Sequence, residues 1–242
     1  MSLMNNIDAL FDRMDAWRHL PNYQLERRAD IFFSLYLSEV LQEKLGFSVK
    51  NELVPEFPIH IETIYPDKKT DKSFKIDYVA FSEKLDKAVF VELKTDDSSL
   101  RTKQDKYLQA ASDVGMSKLI EGLKKIFQAT NSKQKYYCLF EQLEKVGLIT
   151  IPVEVKEIIN KPNLQGINKH SEKIRALKIP SKVQVVYVLP NLPDKEEKAE
   201  IKATYITFNE FADIVERFDD PVSLRFARSL REWAKRKPGE RV

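Results

Sequence analysis

Two runs of β-forming residues lie on either side of one short polar segment, and this arrangement predicts a hairpin. The runs are 73–81 and 88–94, and the segment between them is the hexapeptide 82–87. Runs of this composition separated by a few polar residues are typical of an antiparallel strand pair with a longer loop. We therefore expect a β-hairpin in the first half of the chain.

Helical and strand patterns alternate around this hairpin. Apolar residues recur at helical spacing over 5–18 and 23–45, and Gly46 follows the second pattern where a helix end favours glycine. The segment 47–65 holds two prolines, which predicts an edge strand. Further helices are predicted over 100–115, 116–129, 209–218 (with Asn209 as its cap) and 221–236, and further strands over 183–189 and 201–208. This order predicts an α/β fold, in which a mixed central β-sheet is flanked by helices.

Length and composition favour one elaborated domain. The 242 residues allow one large domain or two small ones, and 43% hydrophobic with 32% charged residues is typical of a folded chain. We find no internal repeat and no linker rich in Gly, Ser or Pro, so we predict a single domain over 1–242. The Lys-rich segment 131–180 is interpreted as an insertion, Lys195 to Lys198 as a solvated loop, and 221–242 as a basic C-terminal helix and tail.

The scarce residue types exclude several common functions. The chain has six glycines, and none of them is spaced to form a dinucleotide-binding, Walker or nucleophile-elbow motif. One cysteine and three widely separated histidines exclude a disulfide framework and make a structural zinc site improbable.

Charge and hydropathy give no membrane signal. The net charge of +3 is too small to require a nucleic-acid or membrane partner by itself. No apolar run of about 18 residues and no signal peptide are present, so we expect a cytoplasmic protein without a membrane partner.

Two carboxylates and a lysine are predicted to share one face of the hairpin. If the loop closes symmetrically, Asp77 lies opposite Glu92, and Lys94 follows Glu92 by two residues on the same face. Opposed Cβ atoms lie roughly 4.5–5.5 Å apart, so two carboxylates there repel unless a cation or a proton lies between them. An oxygen-only site of this kind suits Mg²⁺ or Mn²⁺. The sequence therefore predicts a divalent metal site.

Lys94 is a candidate catalytic residue at this metal site. An ammonium beside two carboxylates can orient or deprotonate a water, or stabilise the charge on a phosphate under attack. The alternative is that Asp77, Glu92 and Lys94 are ordinary polar residues on the solvent face of a sheet, with Lys94 paired to one carboxylate. The tripeptide Glu-X-Lys occurs four times, but only Glu92 ends a strand whose hairpin partner offers an aspartate.

These residues make the chain resemble the PD-(D/E)XK nuclease superfamily, which includes restriction endonucleases, Holliday-junction resolvases and RecB-type nucleases. The resemblance rests on Ile76-Asp77, on the strand 88–94, and on the helix that follows. The order of helices and strands extends it over most of the chain. One departure is Ile76, since a proline often precedes the aspartate in the family.

The resemblance implies a fold, an activity and a set of site residues. The fold would be a restriction-endonuclease-like core of order αβββαβ, with the insertion before the fourth core strand. Asp77, Glu92 and the backbone carbonyl of Leu93 would be metal ligands, and Lys94 would be the catalytic lysine. The protein would be a Mg²⁺-dependent endonuclease or exonuclease acting on DNA, and a homodimer is a further expectation because many such nucleases pair to cut both strands.

Four helical residues are weighed against the family pattern. Glu26 near the start of the helix 23–45 matches a glutamate that many members carry there, although it can equally complement the helix dipole; Glu39 is a weaker candidate. Gln104 and Tyr107 share a face of the helix after the Glu-X-Lys strand, as in RecB-like members, although Tyr107 can equally be a core residue.

Two basic stretches are candidate contacts for nucleic acid. Each has an alternative as an ordinary solvated helix surface. Their members are Arg225, Arg228, Arg231, Lys235, Arg236, Lys237 and Arg241 in the first, and Lys118, Lys124, Lys125, Lys133 and Lys135 in the second, beside Tyr136 and Tyr137. Two functions other than a nuclease remain open. One is a catalytically inactive nuclease-fold protein that binds nucleic acid or acts as a scaffold, and the other is a plain interaction domain.

Overall fold

A computed structural model describes residues 3–96, 102–193 and 202–235, with side chains except at 3–5 and 102–104. The described helices are α1 (Leu3–Trp17), α2 (Leu25–Leu45), α3 (Ile61–Ile64), α4 (Thr102–Ala129), α5 (Lys133–Val146), α6 (Val153–Ile158), α7 (Ile167–Ser171), α8 (Phe208–Val215) and α9 (Pro221–Trp233). The described strands are β1 (Val54–His60), β2 (Ser73–Phe81), β3 (Lys87–Leu93), β4 (Ile149–Thr150), β5 (Arg175–Ala176), β6 (Lys182–Leu189) and β7 (Ala203–Thr207).

A five-stranded mixed sheet confirms the predicted α/β class. Its strand order is β1-β2-β3-β6-β7, and helices flank it. β1 lies at one edge, where Pro55 and Pro58 are tolerated because an edge strand leaves part of its backbone outside the ladder. β6 is an internal strand, as its run of β-branched residues predicted. The more specific restriction-endonuclease-like topology stays a prediction.

The chain divides into two compact units, and the first comprises 1–49, 92–102 and 186–242. Its helices α1, α2, α8 and α9 pack through aromatic side chains around Phe226, which has no solvent exposure. Helix α2 ends at Gly46, whose left-handed φ of 71° is the conformation that favours glycine at a helix C-terminus. The predicted bounds of this helix are confirmed to within two residues.

An ion-pair cluster connects α9 to α1 within this unit. The guanidinium of Arg225 is 2.7 Å from a carboxylate oxygen of Asp12 and 2.8 Å from one of Asp15, and the indole nitrogen of Trp233 donates to Asp15 at 2.7 Å. Burial disfavours the charged guanidinium, but the hydrogen bonds to Asp15 and Asp12 outweigh it and raise the pKa of Arg225. Arg225 therefore fixes the N-terminal helix in place.

Helix α9 begins at an aspartate cap. The Asp220 carboxylate accepts hydrogen bonds from the backbone N–H groups of Val222 and Ser223, at 2.9 and 3.1 Å, and from the Ser223 hydroxyl. The Ser223 hydroxyl in turn lies 2.8 Å from the Tyr36 hydroxyl on α2. Hydrogen bonding by Ser223, ahead of the backbone bonds, lowers the pKa of Asp220.

Replacing Asp220 with alanine should destabilise the protein by about 1 kcal/mol, because the first turn of α9 loses its cap. Since the folded state lowers the pKa of Asp220, its contribution is complete above the ordinary aspartate pKa and is lost as the pH falls through the folded value. Urea denaturation at neutral pH and near pH 3 should therefore show a smaller difference between wild type and variant at the lower pH. Asp220→Asn is the control and should keep most of the stability at neutral pH; an equal loss in both variants would contradict this role.

The second unit comprises 50–91 and 103–185 and contains the β2–β3 hairpin. Helix α4 is interrupted at Gly115, with φ 74° and ψ 166°, which is the boundary predicted between the helices 100–115 and 116–129. Further along α4, a Cβ on Gly122 would lie 2.5 Å from the Thr63 hydroxyl oxygen and 3.3 Å from the Cβ of His60. Glycine at 122 therefore allows α4 to pack closely on the end of β1.

The segment interpreted as an insertion has its own secondary structure. It contains α5, α6 and α7, and β4 pairs antiparallel with β5 in a separate two-stranded sheet. The single domain over 1–242 stays a prediction.

Some element boundaries differ from the predictions. Thr207 caps α8, not Asn209, because the Thr207 side chain accepts from the Glu210 backbone N–H while the Glu210 carboxylate accepts from the Thr207 N–H. The helix predicted to end at 218 ends at Val215 and is followed by a 3-10 turn, and α9 ends at Trp233 instead of 236. The predicted loop Lys195 to Lys198 lies outside the described residues. Of the described helices, none is both long and apolar enough to span a bilayer.

Candidate functional site

The register of the β2–β3 hairpin is the one predicted from its loop. Tyr78 pairs with Val91 at one end of the described ladder and Phe81 pairs with Ala88 at the other, in an antiparallel arrangement. Asp77 directly precedes Tyr78 on β2, and Glu92 directly follows Val91 on β3. The symmetric closure on which the predicted site depends is therefore confirmed over these pairs.

Glu92 and Lys94 form a buried ion pair. The Lys94 ammonium donates a hydrogen bond to Oε1 of Glu92 at 2.6 Å. Lys94 is only 5% exposed and Glu92 only 2%. The contact confirms that both side chains lie on the same face of the strand. Lys94 follows the last residue of β3, and its backbone N–H donates to the Val188 carbonyl of β6 at 2.8 Å. The backbone that carries the lysine is thus held by the neighbouring strand.

Burial of this pair contradicts one alternative interpretation. Glu92 and Lys94 do not lie on a solvent face, because almost none of their surface is accessible. The other part of that alternative, the pairing of Lys94 with one carboxylate, is what the structure has. A buried ion pair loses the hydration of both charges and is often no more stable than apolar residues of similar size. Stability alone therefore gives little reason for charges at these two positions.

Leu93 adjoins this ion pair in sequence, and Asp77 belongs to the paired strand β2. Leu93, between Glu92 and Lys94, is 1% exposed. Asp77 is half-buried, whereas its neighbours Ile76 and Tyr78 are buried. The roles of Asp77 and of the Leu93 carbonyl as metal ligands stay predictions.

The helical candidates have different surroundings. Glu26 is half-buried in the first turn of α2, where no side chain caps the helix, so it is placed to complement the dipole as well as to serve a site. Glu39 is exposed. Gln104 lies in α4 and its side chain is outside the described residues. Tyr107 stacks on Phe74 with ring centroids 4.7 Å apart and meets Tyr65 edge-on at 5.8 Å, which is a packing role.

Several cations of the C-terminal basic stretch are already bound to carboxylates. Arg225 is buried against α1, Arg231 binds Asp213 and Glu216, and Lys235 binds Glu232. Arg228 is exposed. Arg236, Lys237 and Arg241 lie outside the described residues. The described part of this stretch therefore fits the structural alternative better than a phosphate-binding surface.

The second basic stretch contributes to a cavity that the sequence did not predict. A cavity of about 390 Å³ is lined by Lys133, Lys135 and Lys161 together with Asn131, Ser132, Gln134, Pro162 and Leu164. None of the described residues that line it is acidic. Burial lowers the pKa of Lys133, whose ammonium donates to the Gln128 carbonyl at 2.7 Å. Tyr137 is buried, which confirms core packing for that ring. The sequence does not predict that Lys161 lies near Lys133 and Lys135, because no local pattern connects residues so far apart along the chain.

Within the described ranges, no group of three or more His, Cys, Asp or Glu side chains is arranged to hold a metal ion. A metal at the hairpin would therefore take its protein ligands from two carboxylates and a backbone carbonyl. Comparison with protein-family models, with curated proteins and with solved structures finds no match.

Proposed function

We propose that this protein is a Mg²⁺- or Mn²⁺-dependent nuclease of the PD-(D/E)XK type that hydrolyses phosphodiester bonds in DNA. The observation that supports the proposal best is the buried Glu92–Lys94 pair at the end of β3, in a hairpin with the predicted register.

The proposal extends the hairpin register by one pair. If the ladder continues regularly beyond Tyr78 and Val91, the next opposed residues would be Asp77 and Glu92, with Cβ atoms about 5 Å apart. Two carboxylates at that spacing hold a divalent cation between them or else repel each other. A carboxylate oxygen accepts more than one bond, so the contact of Glu92 with Lys94 leaves it able to act as a ligand as well.

The residues present fit Mg²⁺ or Mn²⁺. Asp77, Glu92 and the Leu93 carbonyl offer only oxygen atoms, which these hard cations prefer, and Mg²⁺ often takes one or two carboxylates together with waters and substrate phosphate. When bound, such an ion makes the phosphate more electrophilic and its bound water more acidic.

Lys94 is proposed to position the attacking water and to stabilise negative charge on the phosphate. Its ammonium has three donors, and Glu92 accepts one of them at 2.6 Å. That bond and the backbone bond to Val188 hold the ammonium beside Glu92. Preorganised donors in a buried site stabilise developing charge more than the same donors do in water.

Titration with Mn²⁺ by calorimetry tests the proposed metal site without knowledge of the DNA substrate. Wild-type protein should bind Mn²⁺, and Asp77→Ala should lose that binding because one of two carboxylate ligands is gone. Asp67→Ala is the matched control, since Asp67 is an exposed aspartate that precedes β2, and it should bind as wild type does. Equal binding by wild type and Asp77→Ala would contradict the proposal, as would the absence of binding to wild type.

A second candidate function is a nuclease-fold protein that binds nucleic acid without cutting it. The acid-free cavity lined by Lys133, Lys135 and Lys161 favours this alternative, because such a surface attracts phosphate groups whether or not cleavage follows. It would bind DNA with strong salt dependence and yield no product with Mg²⁺ or Mn²⁺.

A further inference from the structure

Helix α2 carries two large apolar side chains on its outer surface. Ile31 and Leu35 are 61% and 62% exposed, one helical turn apart, although the other face of the same helix is buried through Phe33 and Leu37. Scattered exposed apolar residues are normal in proteins. Two exposed apolar side chains one turn apart on the same helix ridge, with a charged residue at each end, require an explanation.

The same ridge ends in opposite charges. Arg27 lies four residues before Ile31 and Glu39 lies four residues after Leu35, and both are exposed. Neither side chain forms a salt bridge with another side chain that the structure describes. Arg217 is bound to Glu43, and after Glu43 the charge of Glu39 also helps to raise the pKa of Arg217. Along the ridge, a cation, two apolar residues and an anion therefore follow one another at a constant spacing of four residues.

This order is complementary to itself when it is reversed. When two copies of α2 cross in antiparallel directions with the crossing point between Ile31 and Leu35, Ile31 of one copy lies opposite Leu35 of the other. Each cation then lies opposite an anion. Ridges formed by residues four apart pack into the matching grooves of a second helix in the commonest class of helix packing, at a crossing angle of about −50°. A two-fold axis requires such self-complementarity, since the same surface serves both partners.

We propose that α2 forms the interface of a symmetric homodimer. Ile31 packs on the partner's Leu35, and Arg27 pairs with the partner's Glu39, each contact occurring twice. A second copy is the occupant because the apolar pair and the charged pair share one midpoint, a coincidence that binding to a different protein does not require. The proposed interface contains none of the proposed metal ligands, so dimerisation can be measured whether or not the protein cuts DNA.

The expected association is weak. Stable interfaces bury about 800 Å² on each partner, and a single pair of crossed helices covers less. The dimer should therefore form with increasing concentration and dissociate on dilution.

Sedimentation velocity over a concentration series tests the proposal. Wild-type protein should shift from monomer to dimer, and Leu35→Glu should stay monomeric because it places a charge in the apolar centre. Leu177→Glu is the matched control: Leu177 is 64% exposed, lies far from α2 in sequence, and should dimerise as wild type does. A wild type that remains monomeric throughout, or equal behaviour of the two variants, would overturn the proposal.

A charge exchange tests the pairing itself. Arg27→Glu and Glu39→Arg should each raise the dimer dissociation constant about tenfold, because two surface attractions become repulsions. The double variant exchanges the charges and should return the constant toward the wild-type value. Double-variant dimers no tighter than those of either single variant would overturn the proposed geometry. Thermal melting of each variant shows whether it is folded. Because the double variant contains both substitutions, a folding defect caused by either one cannot explain a return of its dissociation constant to the wild-type value.

Discussion

Lys94→Ala should lower the rate of DNA cleavage by about 10²- to 10⁴-fold, the usual effect of removing a group that assists proton transfer or stabilises charge in the reaction. Mn²⁺ binding should persist, because both carboxylates remain and the proposed task of the lysine is chemical. The combination of lost cleavage and retained metal binding separates Lys94 from Asp77, whose replacement should abolish both. The measurement is single-turnover cleavage at saturating Mg²⁺, beside the Mn²⁺ titration.

The ion pair makes controls for this variant necessary. Removing one member of a buried ion pair leaves the other charge without compensation and can cost about 3–5 kcal/mol. Lys94→Met keeps most of the side-chain volume, so a folded Lys94→Met protein that binds Mn²⁺ but does not cut DNA supports the catalytic role. Lys75→Ala removes an exposed lysine of β2 and should cut DNA normally. Full activity in both Lys94 variants would refute the catalytic role.

Phe226→Ala should lower the free energy of unfolding by about 3–5 kcal/mol, far more than Phe218→Ala or Asp220→Ala. Its side chain is fully buried. Its ring centroid lies 5.2–6.3 Å from those of Phe11, Phe32, Phe33, Tyr36, Phe211 and Trp233, which belong to α1, α2, α8 and α9. Truncation leaves a cavity that these rings fill only partly, so both apolar burial and contact are lost. Urea denaturation measures the effect.

Phe218→Ala is the matched control for Phe226. Phe218 is 47% exposed and meets Tyr36 edge-on at 5.2 Å, so its truncation creates no enclosed cavity and should cost far less. Similar losses for the two variants would mean that Phe226 is not the centre of this core.

The hairpin and the long helix could be predicted because their signals are local. The bounds of β2 follow from a β-rich run that begins at Ser73 and ends at Phe81, and symmetric closure across 82–87 gives the register with β3. The apolar stripe and Gly46 likewise determine where α2 ends. In each case the residues that set the structure lie within a few positions of it.

The features that could not be predicted depend on distant residues. Burial of Glu92 and Lys94 requires both faces of β3 to be covered, which a strand pattern alone does not specify. The pairing of Arg225 with Asp12 and Asp15 joins opposite ends of the chain, so the basic stretch that contains Arg225 does not predict it. The cap of α8 was assigned to Asn209 because the reciprocal bonds between Thr207 and Glu210 depend on where β7 ends.

The central claim is that Asp77 and Glu92 bind one divalent cation. A crystal structure of wild-type protein soaked with Mn²⁺, with anomalous differences recorded, tests it most directly. The account predicts an anomalous peak about 2.1 Å from a carboxylate oxygen of each residue, with the Lys94 ammonium beside it. A peak bound elsewhere, or no peak between these two carboxylates at saturating Mn²⁺, would contradict it.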